Sequence, residues 1–257
     1  MDEKVAKIRA DGGVRSVSRA VDVLSLFDNH HPTRDLRELV ALSGLPKTTV
    51  VRLMATLESR GLVVDRGDAT YGLGARFLRW VQLAQSLWEV NRETRQEMRA
   101  LVDDCGETVN VYVRQGTDRV SIAQEEGTAT VRSVVDVGRP MPLSAGATAK
   151  VLLSEAPASV FQELAAIWTG PDITGFQRQM SSVRERGYAV THGERELGAS
   201  AVAAPIRSTE GRVIAALSAS GPTSRFTAER VSRYTSSVTG AANRISKTGL
   251  GTVEALL

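Results

Sequence analysis

The chain has 257 residues, 42% of them hydrophobic and 24% charged, which is globular usage and room for one small and one medium domain. No apolar run approaches the ~18 residues that a membrane-spanning helix needs, and Cys105 stands alone, which excludes an intrachain disulfide or a cysteine metal cage. The net charge is only +3, yet the whole excess falls in the first eighty residues, where attraction to phosphates is useful.

The opening residues, MDEKVAKIRADGG, are charged and lack the apolar core of a secretion signal. A cytoplasmic location is therefore expected, with residues 1–13 as a flexible tail. In residues 16–29, Val17, Ala20, Val21, Leu24 and Phe27 recur at three- and four-residue spacing, one apolar helical stripe that Pro32 cannot continue. A second helix starts at Asp35, with Glu38 three residues on to complete a capping box, and stops at Gly44. A third takes Pro46 as its first position and runs through Arg60, its core stripe being Val50, Leu53, Met54 and Leu57. Two short β-prone runs, 62–64 and 70–73, flank a turn at Arg66-Gly67-Asp68. Three helices and a hairpin over residues 14–75 make a winged helix-turn-helix.

In such a motif the N-terminal residues of the third helix reach base edges. They are Lys47, Thr48, Thr49, Val51 and Arg52 here. Arg52 suits two-pronged bonding to guanine, Thr48 or Thr49 a phosphate or base, and Val51 a thymine methyl. Arg19, Arg60 and Arg66 are expected as backbone or structural contacts, Arg66 on the wing. The run Gly44-Leu45-Pro46-Lys47-Thr48-Thr49 ends like a phosphate-binding loop, but Pro46 lacks the N–H that such a loop needs before its lysine, so nucleotide binding is rejected.

A linker helix is expected over 76–90 and an effector-binding domain over 91–250. Val109, Val111 and Val113 alternate with polar neighbours as a half-buried strand should, and a turn at Gly116-Thr117-Asp118 leads into a second strand at 119–124. Further strands are expected at 130–136, 188–190, 201–206 and 213–220. Helices are expected near 146–154, 158–167, 175–186 and 227–247. This mixture suits one α+β domain.

The segments SVSRAVDVLSLF (16–27), LRELVALSGLPKTTVVRLMATLESRGLV (36–63), YGLGARFL (71–78), GRPMPLSAGATAKVLL (138–153), RERGYAV (184–190), AVAAPI (201–206) and GRVIAALSASGPTSRFT (211–227) stand in one order along the chain. In that order they resemble the IclR (isocitrate lyase regulator) family of bacterial regulators. The resemblance implies an α+β protein: an N-terminal winged helix-turn-helix, a linker helix and a C-terminal GAF/profilin-like α/β effector-binding domain. It also implies a homo-oligomer, dimer or dimer of dimers, on a double-stranded, pseudo-palindromic DNA operator, with a small-molecule effector. No cofactor is expected, and adjacent His30 and His31 without a cysteine cluster speak against a metal site. Carried over by motif position, the effector-binding residues are Ser144, Gly146, Ala147 and Thr148, then Thr191, His192 and Ala201, then Ser218 and Ser220. Backbone N–H groups at the helix start near Gly146 are suited to hold an anion. Where many relatives carry an acidic pair this chain has Thr191 and His192, and where many carry Arg-Cys it has Ser200 and Ala201. The pocket should therefore be roomier and less anionic, favouring an acid or a larger, aromatic ligand.

Two other readings stay open. A hydrolase would need Ser with His192 and an acid, but no G-x-S-x-G elbow exists and His192 is the one histidine of the C-terminal region. An interaction adaptor would retain the winged helix without using it on DNA.

Overall fold

The computed structural model describes residues 14–168 and 172–257, so the expected tail at 1–13 lies outside the described residues. The chain divides into two compact units, Met1–Ser86 and Leu87–Leu257.

The first unit runs α1 (Arg15–Leu24), β1 (Thr33–Asp35), α2 (Leu36–Ser43), α3 (Lys47–Ser59), β2 (Val63–Asp65) and β3 (Thr70–Leu73), then enters α4 (Arg76–Trp88). Val23, Leu39, Val50, Met54, Leu57 and Val63 form its core, one residue or more from each of α1, α2, α3 and β2. The α1 helix stops several residues short of the expected end. The Asp28 carboxylate accepts the backbone N–H groups of His30 and His31, which turns the chain before Pro32 is reached. The Asp35–Glu38 capping box forms as expected, and Gly44 caps α2 in the left-handed region at φ 63°. Pro46 is the residue before α3 rather than its first member, with φ −55° and ψ 139°, and its carbonyl accepts from Thr49 and Val50. The strand β1 was not expected. It adds to the outer side of β3, opposite β2, and three residues are too few for periodicity to register.

At the foot of the wing, Gly74 donates its N–H to the Leu62 carbonyl, and a Cβ there would lie 2.2 Å from the Gly61 oxygen. Only glycine fits.

The second unit is a six-stranded antiparallel sheet with helices on both faces. Its strands are β4 (Thr108–Gln115), β5 (Asp118–Glu125), β6 (Pro140–Pro142), β7 (Ala189–His192), β8 (Ala199–Arg207) and β9 (Val213–Pro222), in the order β6-β5-β4-β9-β8-β7. One face packs on α5 (Arg92–Cys105) and α9 (Ala228–Thr248) through Val109, Val111, Val202, Ala204, Leu217 and Ala219. The other packs on α6 (Ala147–Leu153), α7 (Ala158–Ile167) and α8 (Ile173–Arg186) through Tyr112, Ala203 and Ala216. Side chains alternate across a strand, so Ser218 and Ser220 share the face of Ala216 toward α6.

The strand expected at 130–136 does not form. Three-residue β6 takes the free edge of β5 instead, pairing Arg119 with Met141. The Val135 N–H goes to the Gln124 side chain at 2.9 Å, which occupies a donor that a ladder would need. Val135 itself is buried beside Leu143 and Tyr112, whereas Val131 and Val134 stay exposed.

Candidate functional sites: a groove-reading helix and a cationic cleft

In α3 the buried side chains Val50, Met54 and Leu57 fall on one side. That leaves Lys47, Thr48, Val51 and Arg52 exposed at the N-terminal half, with Thr49 half-buried. Arg66 is exposed on the wing, where its side chain passes 3.7 Å from the point at which a Gly72 side chain would begin. Arg60 is exposed, and its carbonyl accepts a bond from the Arg76 guanidinium at 2.9 Å, a link within the unit. Arg19 on α1 is half-buried. The wing turn is tight: Gly67, Asp68 and Ala69 all have positive φ, and the Ala69 carbonyl accepts the Leu36 N–H at the start of α2. The wing is thus fixed relative to the helices.

In the second unit an open cleft lies where β4, β5, β8 and β9 face the start of α6. Gly146, Ala147, Thr148, Thr191, Ala201, Ser218 and Ser220 line it. Pairing explains the convergence, because Ala201 stands opposite both Thr191 and Ser220 in the sheet. Ser144 and His192 do not line it. His192 is exposed, with Nδ1 2.9 Å from the Ser200 hydroxyl, which in turn meets the Thr223 hydroxyl at 2.9 Å. His192 therefore sits behind the cleft wall.

Sequence reasoning missed five lining residues, Tyr112, Arg119, Ser133, Arg195 and Ala199, and named Ser200 only as a departure from the family. Arg119 is the most consequential. Its guanidinium is buried, and Nη1 donates to the carbonyls of Pro142 and Ala145, each at 2.8 Å. Burial lowers its pKa to about 10, opposed by nearby Tyr112 and reinforced by the positive charge of Arg195. It stays charged at neutral pH. By contrast, the N–H groups at the start of α6 already have protein partners. Gly146 donates to Glu194 at 3.3 Å and Ala147 to the Thr191 hydroxyl at 3.2 Å. The same Glu194 carboxylate pairs with Lys150. Positive potential in the cleft thus comes from guanidinium groups rather than a bare helix terminus.

Among the described residues, no group of three or more His, Cys, Asp or Glu side chains is gathered to hold a metal ion. Nor is any helix there long and apolar enough to cross a membrane.

A winged helix-turn-helix joined to a second, cleft-bearing α/β domain defines a DNA-binding transcriptional regulator. Residues 16–67 match the IclR helix-turn-helix domain and residues 82–247 the bacterial transcriptional regulator IclR C-terminal domain. The chain belongs to the IclR family. It is 33% identical to the HTH-type transcriptional regulator KipR of Bacillus subtilis, over 91% of this chain and 96% of that protein. A crystal structure of an IclR-family regulator from Rhodococcus sp. is 48% identical, with a TM-score of 0.63 over 98% of this chain and 100% of that one. An IclR homologue from Microbacterium hydrocarbonoxydans, complexed with 4-hydroxybenzoate, shares the fold at 22% identity, with a TM-score of 0.70 over 93% and 99% of the two chains. The curated relatives are regulators and repressors rather than enzymes.

Proposed function

We propose that this regulator acts as a cytoplasmic homo-oligomer that controls a catabolic operon by binding a pseudo-palindromic operator, and that an organic acid in the cleft changes its DNA affinity. The exposed N-terminal half of α3, held by a buried aliphatic stripe, is the observation that carries the DNA reading. Lys47 and Thr48 serve as phosphate contacts, Arg52 and Val51 as base readers, and Thr49, Arg19, Arg60 and Arg66 as supporting contacts.

The homo-oligomer reading is supported by α4. It buries none of its residues, yet Leu78, Trp80, Val81, Leu83 and Leu87 are 44–70% exposed. A helix that shows this much apolar surface needs a partner. A second copy supplies one and sets two α3 helices on successive major grooves, about 34 Å or a multiple apart. An effector changes affinity only by binding one arrangement of the oligomer better than another. The domains in this reading are the winged helix-turn-helix at 14–75, the linker helix at 76–90 and the effector domain at 91–250.

Footprinting on the DNA upstream of the protein's own gene tests this reading. Two protected half-sites one helical turn or a multiple apart, with affinity falling steeply as salt rises, are expected. Uniform, sequence-independent protection would refute it.

A further inference from the structure

The cleft wall holds a guanidinium that has no carboxylate hydrogen-bond partner among the described residues, with only a minor electrostatic pull from neighbouring Asp118. Arg119 is 3% exposed, and the two carbonyls that take its Nη1 are neutral acceptors. Its Nε is buried with no hydrogen-bond partner among the described residues. A buried guanidinium left in this state is unusual, because buried charges are normally paired and their donors satisfied. The second guanidinium comes from Arg195, on the loop between β7 and β8. A side chain at Gly146 would begin 3.6 Å from Arg119 Nη2 and 4.0 Å from Arg195 Cβ, so both arginines flank one point of the cleft wall. No Asp or Glu lines that wall among the described residues. The nearby carboxylates are engaged elsewhere: Glu194 with Lys150 and the Gly146 N–H, and Glu196 with Arg195 Nη2 at 3.3 Å at the exposed side of the loop.

We propose that Arg119 and Arg195 form the anion-binding end of the cleft, their two guanidinium groups facing the carboxylate oxygens of the organic-acid effector. The inference rests on reading the cleft as the effector site and adds the residues that recognise the acid's charge. Arg119 is the fixed anchor, held by two carbonyls. Arg195 is the adjustable one, carried between Gly193 and Gly198, both at positive φ. A carboxylate between them relieves their mutual repulsion and ties the β5–β6 edge to the β7–β8 loop, which is a differential contact of the sort a switch needs. Tyr112, Ala147 and Ala201 supply apolar wall for the ligand's body.

Calorimetry on the full chain tests this with acid and amide pairs of equal shape: benzoate against benzamide, and acetate against acetamide. At least one acid should bind, with its amide weaker by about tenfold or more. Arg119→Gln should lower that acid's affinity by a similar factor, and Arg195→Ala by less. Circular dichroism of each variant separates lost binding from lost folding, and the acid–amide comparison needs no variant. Equal binding of acid and amide, binding of neither acid, or an Arg119→Gln variant as tight as the parent would overturn the proposal. If those results came with an intact operator footprint, the anion site alone would fall. If the footprint were also absent, the regulator reading itself would have failed.

Discussion

Lys47 and Glu107 show how differently charge is used in the two units. Lys47 is exposed at the N-terminal start of α3, free to meet a phosphate. Replacing it by Ala should weaken operator and random DNA alike and reduce the slope of log affinity against log salt by about 1. Glu107 is 1% exposed and holds both nitrogens of the Arg225 fork at 2.6 Å, while Arg225 also reaches the Val131 carbonyl at 3.0 Å. That pair is crowded by Gly221, where a Cβ would collide with the Glu107 carboxylate. Glu107→Ala removes one partner of an ion pair that is buried at one end and about a quarter exposed at the other. A loss of about 3 kcal/mol is expected, at the lower end of the range for fully buried pairs, and is read as a lowered midpoint in thermal unfolding. Cys105 behaves as its burial dictates. Removal from water pushes its thiol up to about 11, so it is almost wholly protonated at neutral pH. Iodoacetamide at about pH 8 should leave the folded protein unmodified and label it once denatured. Rapid labelling of the native chain would contradict the burial.

At the scale of elements, periodicity revealed whatever it is able to encode. The α3 stripe, the Asp35–Glu38 box and the alternation of β4 each arise from contacts local enough to leave a pattern in the sequence. β1 and β6 left none, since three residues cannot show a period and their pairing is decided by a distant strand. The segment 130–136 shows the opposite failure. It is rich in β-prone valines, yet the edge of β5 was already taken by residues 140–142. Arg119 was hidden for the same reason. In DRVSIAQ a lone arginine between valine and aspartate reads as a solvated position, and its burial follows from carbonyls 23 and 26 residues away. Thr191, Ala201, Ser218 and Ser220 were placed by family motif rather than by any local pattern, because nothing in a strand's own sequence says which neighbours will face a cleft. The exposed apolar side of α4 belongs to this scale too. If two copies pair through α4 as proposed, Leu83→Glu should lower the mass seen by light scattering after size exclusion, with little change in helical content, since Leu83 is 53% exposed in the single chain. An unchanged mass would remove α4 from the interface.

The whole molecule joins a DNA-reading unit of short helices and a wing to a larger α/β unit built around a cationic cleft. The chain's slight positive excess lies in the first eighty residues, while the rest is balanced overall and concentrates positive charge locally in the cleft. In the proposed reading the two concentrations of positive charge serve different anions: a phosphate backbone, which is long and regular, and a single small acid. Sequence-selective reading by α3 is the claim on which the regulator account depends. Fluorescence anisotropy with the footprinted operator and a random duplex, for the parent chain and Arg52→Ala, measures it most directly. The account predicts a loss of roughly 1–3 kcal/mol on the operator, a relaxed preference at one base position and little change on random DNA. Equal losses on both duplexes, or none on either, would contradict it.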